Sequence, residues 1–426
     1  MGVNQQQPNL FRHRGFMLMW GGQTISVFGT AVSELAIPTA AIFLLGASAF
    51  QIGILNVARF IAFPIFGLFA GVWVDRLHRR RVMIVADVVR AIALGSIPIL
   101  AVLHALTLAQ LFAVTAVVAI ASVFFDVAYQ AYLPSLVSRD AVLSANARLE
   151  FSNSAARTGG AGLAGILIQI AGAPLAIALD AASFVVSAVS LIGVRAQESI
   201  ATGATPRFFG QLREGLTTVI GSPVLRGIAV CTGLQNLGWG MFHAVFLVFV
   251  YRDLHLTPAV IGIVMALSNL GFVGALLSTR MSQWIGVGPT LVVTALGASI
   301  GMGIVPLAAV AAPIAVLFVA LLVITLTASI YNITQVSLRQ TICGGELQGR
   351  VNATMRTIIW SVLPLGALIG GALGTWIGTA PTILVGFGVC LCSLAGLFGP
   401  GAIWRLRRFP SPLIAPSFPE PAAMGA

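Results

Sequence analysis

Apolar runs of about twenty residues, the length that crosses a hydrocarbon core roughly 30 Å thick, recur along this chain. Charges, prolines and glycines interrupt them. Reading the breaks gives twelve runs: 15–45, 51–73, 82–104, 106–131, 152–172, 174–194, 225–250, 257–279, 289–309, 313–335, 353–376 and 380–404. Helices are the expected conformation, because a spanning helix satisfies its backbone hydrogen bonds within itself. The short alternating segments of a membrane barrel are absent. The pattern predicts an all-α membrane protein with twelve transmembrane helices.

Composition agrees: 58% of the 426 residues are hydrophobic, 8% are charged, and the mean hydropathy is +0.99. A soluble domain is far more polar. The charge adds an orientation. All 23 basic residues are arginine. With the N-terminus in the cytoplasm, Arg12, Arg14, Arg76 to Arg81, Arg139, Arg148, Arg195, Arg207, Arg213, Arg226, Arg280, Arg339, Arg350, Arg405, Arg407 and Arg408 fall at one face. The opposite loops, near Ala47, Ala105, Gly172, Ala311 and Thr379, carry no fixed charge, and "YRD" with Arg252 and Asp253 is the exception. This positive-inside pattern places both termini in the cytoplasm of a bacterial-type plasma membrane. It also assigns the net charge of +11 to a lipid-facing surface rather than to nucleic acid.

Several chemistries are missing from the sequence. The first apolar run is too long for a cleavable signal peptide. Cys231, Cys343, Cys390 and Cys392 suggest neither a disulfide framework nor a zinc site. No nucleotide-binding loop, metal cluster or nucleophile–base pair is evident, so neither a cofactor nor an enzymatic reaction is expected.

A polar segment, 195–222, divides the chain. It begins Ser/Thr/Gly-rich and ends in a short amphipathic helix expected over 207–220. On either side lie an N-terminal six-helix bundle, 1–194, and a C-terminal one, 223–408. The Pro-rich tail 409–426 is expected to be disordered. The halves repeat faintly: Gly29, Glu34, Ile52 and Gly53 are matched 209 positions later by Gly238, His243, Ile261 and Gly262. Asn146–Ala147 and Gly160 are matched by Asn352–Ala353 and Gly366 at an offset of 206. Two such bundles facing one another across a central cavity are the plan of many secondary transporters.

The stretch "GVWVDRLHRRR", 71–81, gathers charge between two apolar runs. It resembles the G-x-x-x-D-R-x-G-R-[RK] signature of the major facilitator superfamily. Gly71, Asp75, Arg76, Arg79 and Arg80 match, while His78 stands where the pattern has glycine. "FFDVAYQAYLPSLVSRDAVLSANARLE", "ALDAASFVVSA", "REGLTTVIGSPVLRG" and "GRVNATMRTIIWSVLPLGALIGGALG" are similar to the subgroup containing enterobactin exporters and macrolide-efflux proteins. The resemblance implies alternating access, with a cytoplasmic latch closing the outward-facing state. Gly71 would permit close helix packing. Asp75 would accept hydrogen bonds from arginine or a facing helix N-terminus. Asp126, near the end of the fourth run, is a partner for Arg76 or Arg79, and Asp87 and Arg90 sit at similar depth. The alternative is an ordinary positive-inside loop. "GGAGLAG" in the fifth run partly resembles an antiporter motif, with Ala161 in place of its proline.

Glu34 lies well inside the first run, where a lone charge costs about 2.5–3.5 kcal/mol on insertion scales. Arg59 reaches a similar depth in the second run. The two are either a proton-binding acid with its counter-ion or a permanent structural pair. His243, the repeat equivalent of Glu34, is either titratable or a hydrogen-bonded cavity residue. Asp180 is either a second acid of the pathway or an interfacial residue reaching toward water. Arg157 and Arg356 either attract an anionic substrate or bind carbonyls and headgroups. Gln235, Asn236, Trp239, Tyr331, Asn332, Gln335 and Trp360 are candidates for the cavity wall or for interhelical packing.

The reading is a proton-coupled exporter of a small amphipathic compound, working as a monomer in the bilayer, with the compound and protons as its partners. A proton-coupled uptake symporter is the alternative in direction. A non-transporting sensor or assembly partner on the same fold is the alternative in kind.

Overall fold

The computed structural model describes residues 10–194, 208–343, 346–399 and 402–410. The first half runs through α1 (Arg14–Leu45), α2 (Ala49–Phe60), α3 (Ala62–Arg76), α4 (Arg79–Val102), α5 (Leu108–Leu136), α6 (Val142–Ala171) and α7 (Ala173–Ile192). Helices α2 and α3 form one crossing, interrupted at Ile61. Pro64 lies in the first turn of α3, where its missing N–H removes the bond that would have continued α2.

Helix α8 (Phe208–Gly221) is the short helix expected between the halves. Residues 195–207 of the expected linker, and 411–426 of the expected tail, lie outside the described residues. The second half comprises α9 (Pro223–Val248), α10 (Pro258–Asn269), α11 (Gly274–Ile285), α12 (Val287–Ile304), α13 (Pro313–Ile342), α14 (Glu346–Trp376), α15 (Thr379–Cys392) and α16 (Ala395–Phe398). A π-helical turn, Phe249–Asp253, extends α9, and a 3-10 turn, Leu270–Val273, joins α10 to α11.

Eleven of the resulting crossings are long and apolar enough to span a bilayer. Helix α6 equals them in length at 30 residues, but carries Arg148, Glu150 and Arg157. Together they form two six-helix bundles. Several ends fall outside the apolar runs. Helix α6 starts at Val142 rather than 152, α13 continues to Ile342 rather than 335, and α14 begins at Glu346 rather than 353. Charges such as Arg148, Arg339 and Arg350 mark the edge of the apolar slab, whereas a helix's local hydrogen bonds continue into the polar layer. The short connections at the opposite face have firm stops. Gly46 takes a left-handed conformation (φ 62°) after α1, and capping boxes start α2 (Ser48 with Gln51) and α5 (Thr107 with Gln110).

Small residues decide how the helices meet. Lipid supplies little hydrophobic drive between helices, so close backbone packing must do so. Within the first bundle α1 packs on α6 and α7; within the second, α9 packs on α14 and α15. Between the bundles, α2 packs on α14 and α6 on α10. A Cβ added at Gly53 of α2 would lie 2.6 Å from the Ala367 carbonyl of α14. One at Gly165 of α6 would lie 2.3 Å from the Pro258 carbonyl of α10. The "GGAGLAG" stretch therefore has a packing role, threading α6 between α1 and α10.

These approaches share one end of the molecule, that of Ala47, Gly172, Thr257 and Thr379. Polar links across the halves reinforce it. The Thr39 and Tyr251 hydroxyls are 3.0 Å apart, the Phe50 amide donates to Thr375 Oγ1 at 3.0 Å, and Arg252 Nη2 donates to the Ala47 carbonyl at 2.9 Å. The Gly71 end differs. Among the described residues, a Cβ at Gly71 would meet nothing within 4 Å, so the close packing expected there is absent in this conformation. Closure is at the Ala47 end.

Candidate functional site

Midway along α1, Glu34 forms an ion pair with Arg59 of α2. Both side chains are substantially exposed, 51% and 40% respectively, although each sits deep within a membrane helix. The residues around them come from both bundles. The Arg59 guanidinium lies 5.2 Å from the centre of the neighbouring Phe60 ring. Phe60 faces the His243 ring of α9 at 6.4 Å, and Asn56 Nδ2 donates to the His243 carbonyl at 3.3 Å. Trp239 and Phe242 stand beside His243 at 5.5 and 6.1 Å. One turn further toward Gly71, Phe63 of α3 meets Trp360 of α14 at 5.7 Å, and the Arg356 guanidinium covers Phe63 at 4.3 Å. An aromatic wall thus runs across both bundles, with the Glu34–Arg59 pair on its first-bundle side.

A second charged cluster lies inside the first bundle. Asp87 and Arg90, one turn apart on α4, form a buried ion pair. Arg90 is clasped between the rings of Phe125 (4.3 Å) and Phe184 (4.2 Å). Asp180 on α7 is 1% exposed, so the expected reach toward interfacial water is not observed. It is buried because α7 packs tightly on α1: a Cβ at Gly29 would lie 2.5 Å from Asp180 Oδ1. Asp126 on α5 is exposed. Its electrostatic neighbours are Arg90 and Arg356, in place of the expected Arg76 or Arg79. The reason is position: Asp126 lies nearly three turns inside the end of α5, toward Arg90 of α4 and Arg356 of α14 rather than the loop.

At the 71–81 stretch, Arg80 caps the C-terminus of α7. Its Nε donates to the Leu191 carbonyl at 2.8 Å and its Nη2 to that of Ile192. A cation is favoured there because the last carbonyls of a helix form its partially negative end. Arg76 is exposed and Arg79 half-buried. The Asp75 side chain lies outside the described residues, so the structure places only its backbone, in the last turn of α3.

The second-half candidates separate into two groups. Gln235 is buried, its Nε2 within reach of Ser393 Oγ (3.0 Å), Ser299 Oγ (3.3 Å) and the Ala295 and Cys390 carbonyls. Tyr331 is buried with its hydroxyl 2.9 Å from Thr232 Oγ1, and the buried Gln335 donates to Asn332 Oδ1 at 3.2 Å. Asn236 Nδ2 donates to the Ile359 carbonyl at 2.9 Å. The bonds of Gln235, Tyr331 and Asn236 are interhelical ties, that of Gln335 lies within α13, and Gln235, Tyr331 and Gln335 are buried in this conformation. His243, Asn332 and Trp360 are exposed, and Trp239 is half-buried.

Sequence reasoning missed Asn56, Phe60 and Phe63, which carry the first bundle's side of the wall. Their only signal was proximity to Arg59, at i−3, i+1 and i+4 on the same crossing. Among the described residues, no group of three or more His, Cys, Asp or Glu is placed to hold a metal ion.

The comparisons with known proteins agree with this architecture. A family model described as Major Facilitator Superfamily matches residues 19–367. The multidrug efflux pump Tap of Mycolicibacterium fortuitum is 26% identical over 351 residues, 79% of this chain and 84% of that protein. The macrolide efflux protein A of Streptococcus pyogenes is 25% identical over 209 residues, 48% of this chain and 51% of that protein. Among solved structures, a bacterial homologue of the iron transporter ferroportin in an inward-facing state superposes with a TM-score of 0.74 at 16% identity, covering 90% of this chain and 98% of that one. At that identity the likeness concerns the fold alone. The twelve crossings, the paired bundles and the family match converge: this chain belongs to the Major Facilitator Superfamily, and it is a membrane transporter.

Proposed function

We propose that the protein exports a small amphipathic compound, drug-like, macrolide-like or siderophore-like, in exchange for protons. The observation that carries this reading is the Glu34–Arg59 pair facing the aromatic wall between the bundles. A pair so exposed is worth only about 0–1 kcal/mol, too little to serve as a structural staple and little enough to open in each cycle. A carboxylate that gains and loses its arginine changes its proton affinity, which is what coupling requires. The wall of Phe60, Phe63, Trp239, Trp360 and His243 offers ring faces and few fixed charges, the lining expected for an amphipathic molecule. Two relatives are named as efflux proteins, which supports the outward direction.

With the arginine-rich face in the cytoplasm, closure at the Ala47 end leaves the cavity open to the cytoplasm. Gly71, Asp75, Arg76, Arg79, Arg80 and Asp126 then belong to the end that must close in the outward-facing state. A contact present in only one access state shifts the equilibrium between them. Asp75→Asn should therefore impair transport while leaving membrane insertion intact.

The test is accumulation in a drug-sensitive bacterial host. Expression should lower the cellular level of at least one hydrophobic antibiotic, dye or siderophore-like compound, and a protonophore should abolish the effect. Proton-driven uptake of a nutrient into right-side-out vesicles, with export of none of these compounds, would reverse the direction.

A further inference from the structure

Behind the Glu34–Arg59 pair, the charges of the first bundle do not balance. Among the described residues, Arg90 has three carboxyls as electrostatic neighbours: Asp87, Asp126 and Asp180. Asp87 holds the ion pair with Arg90, and Asp126 has a second cation in Arg356 of the other bundle. Asp180 is left with hydroxyls. Ser183 Oγ lies 3.1 Å from Asp180 Oδ1, and the buried Ser33 hydroxyl, otherwise unpartnered among the described residues, lies beside the same carboxyl. Ser183 has one hydroxyl hydrogen, and the Asp180 backbone carbonyl takes it at 2.7 Å. A proton on the carboxyl closes the longer contact. It also removes a buried charge that has no cation in contact among the described residues, which is otherwise costly.

Access to this carboxyl is one-sided. Asp180 is 1% exposed, whereas Glu34, next in sequence to Ser33, is open to the cavity and within electrostatic reach of Asp180. The charged groups around Asp180 are thus Glu34 of α1 with its partner Arg59 of α2, Asp87 and Arg90 of α4, and Asp126 of α5 beyond Arg90. A charge on Glu34 disfavours a second negative charge on Asp180.

We propose that Asp180 is a second proton-binding carboxyl of this transporter, loaded through Glu34, and that the two acids hold one proton between them. The proposal rests on the proton-coupled reading above. While Arg59 keeps Glu34 ionised, the proton resides on Asp180. When Arg59 is drawn away, the proton passes to Glu34: one O–H bond breaks at Asp180, one forms at Glu34, and the proton is then in contact with cavity water.

Infrared spectroscopy of the purified full chain in lipid reads the proton directly, without substrate or gradient. At neutral pH a protonated-carboxyl band is expected in the natural protein. It should be lost in Asp180→Asn and shifted in Ser183→Ala, which removes the hydroxyl facing it. If Asp180→Asn does not fold, the Ser183→Ala shift decides alone. In liposomes, pH-gradient-driven flux should fall about tenfold or more, a loss of about 1.4 kcal/mol or greater in the driven step, in whichever of these variants folds. Absence of the band, or a band that neither substitution alters, overturns the proposal. A band assigned to Asp180 with natural-level gradient-driven flux in the folded variant reduces it to a fixed structural proton and also overturns the proposal. A band that responds as expected, in a protein whose natural form shows no proton-driven flux, overturns the transport reading and leaves the proton on Asp180 standing.

Discussion

Arg252, beyond the end of α9, donates a hydrogen bond of 2.9 Å to the Ala47 carbonyl in the loop between α1 and α2. It is the one arginine on a face whose other loops carry no fixed charge, and it reaches across the bundle interface. Beside it, Asp253 accepts a hydrogen bond from Thr379 Oγ1 within the second half. The adjacent pair therefore has divided duties: the base clamps the halves together, and the acid ties down the turn before α15. A bond present only while the Ala47 end is closed stabilises one access state at the other's expense.

Arg252→Ala should loosen that end. A hydrogen bond to a charged group contributes about 1.5–3 kcal/mol, so the population with the Ala47 end open should rise by about tenfold or more. Spin labels at Ala105→Cys and Ala311→Cys, on opposite halves, in a variant lacking the native cysteines, would report the change as added weight at longer distances. An unchanged distribution would show that Arg252 does not bias the equilibrium.

Glu34→Gln should abolish gradient-driven transport more severely than substrate binding, because glutamine retains the shape but takes up no proton. Substrate exchange without a gradient is the comparison measurement. If the pair were only structural, the main defect would instead be misfolding from an unpaired Arg59, relieved by also replacing Arg59 with a neutral residue.

Gly53→Leu tests closure by sterics. The added Cβ would lie 2.6 Å from the Ala367 carbonyl, a backbone atom that cannot step aside as a flexible side chain would. The protein should insert and fold, yet be held with its Ala47 end apart and transport nothing. Gly71→Ala is the contrast: its Cβ would meet nothing within 4 Å here, so any defect it causes must arise in the opposite state.

Arg90→Leu should destabilise the first bundle by about 3–5 kcal/mol, the usual cost of leaving one partner of a buried pair uncompensated. The Phe125 and Phe184 rings would also lose the guanidinium between them. Thermal unfolding in detergent checks this. The double variant Asp87→Asn/Arg90→Leu should recover most of the loss.

The fold was legible because long apolar runs and the one-sided arginines leave few alternatives to a polytopic helical protein. Helix ends were less so: α6 and α14 begin among charged residues, where apolarity stops reporting on helix. Glu34 and Arg59 could be matched because equal distances from a common turn imply equal depth. Asp126 and Asp180 could not be oriented, because depth says nothing about the direction a side chain faces. For Asp180 the deciding feature is the fit of Gly29 against it, which no single helix reveals. Gln235 and Trp239, four positions apart on one face of α9, looked alike as cavity candidates, yet Gln235 meets Ser299 and Ser393 while Trp239, one turn further along, lies beside His243.

In the proposed cycle a proton gradient drives an amphipathic compound through the cavity beside Glu34. Flux of a fluorescent amphipathic dye, chosen by the accumulation assay, can be followed in liposomes carrying the purified protein under an imposed pH gradient. Net dye movement against the direction of the proton gradient, collapsing with a protonophore and missing in Glu34→Gln, is the predicted result. Dye movement of equal rate with and without the gradient, or undiminished in Glu34→Gln, would rule out proton coupling through Glu34.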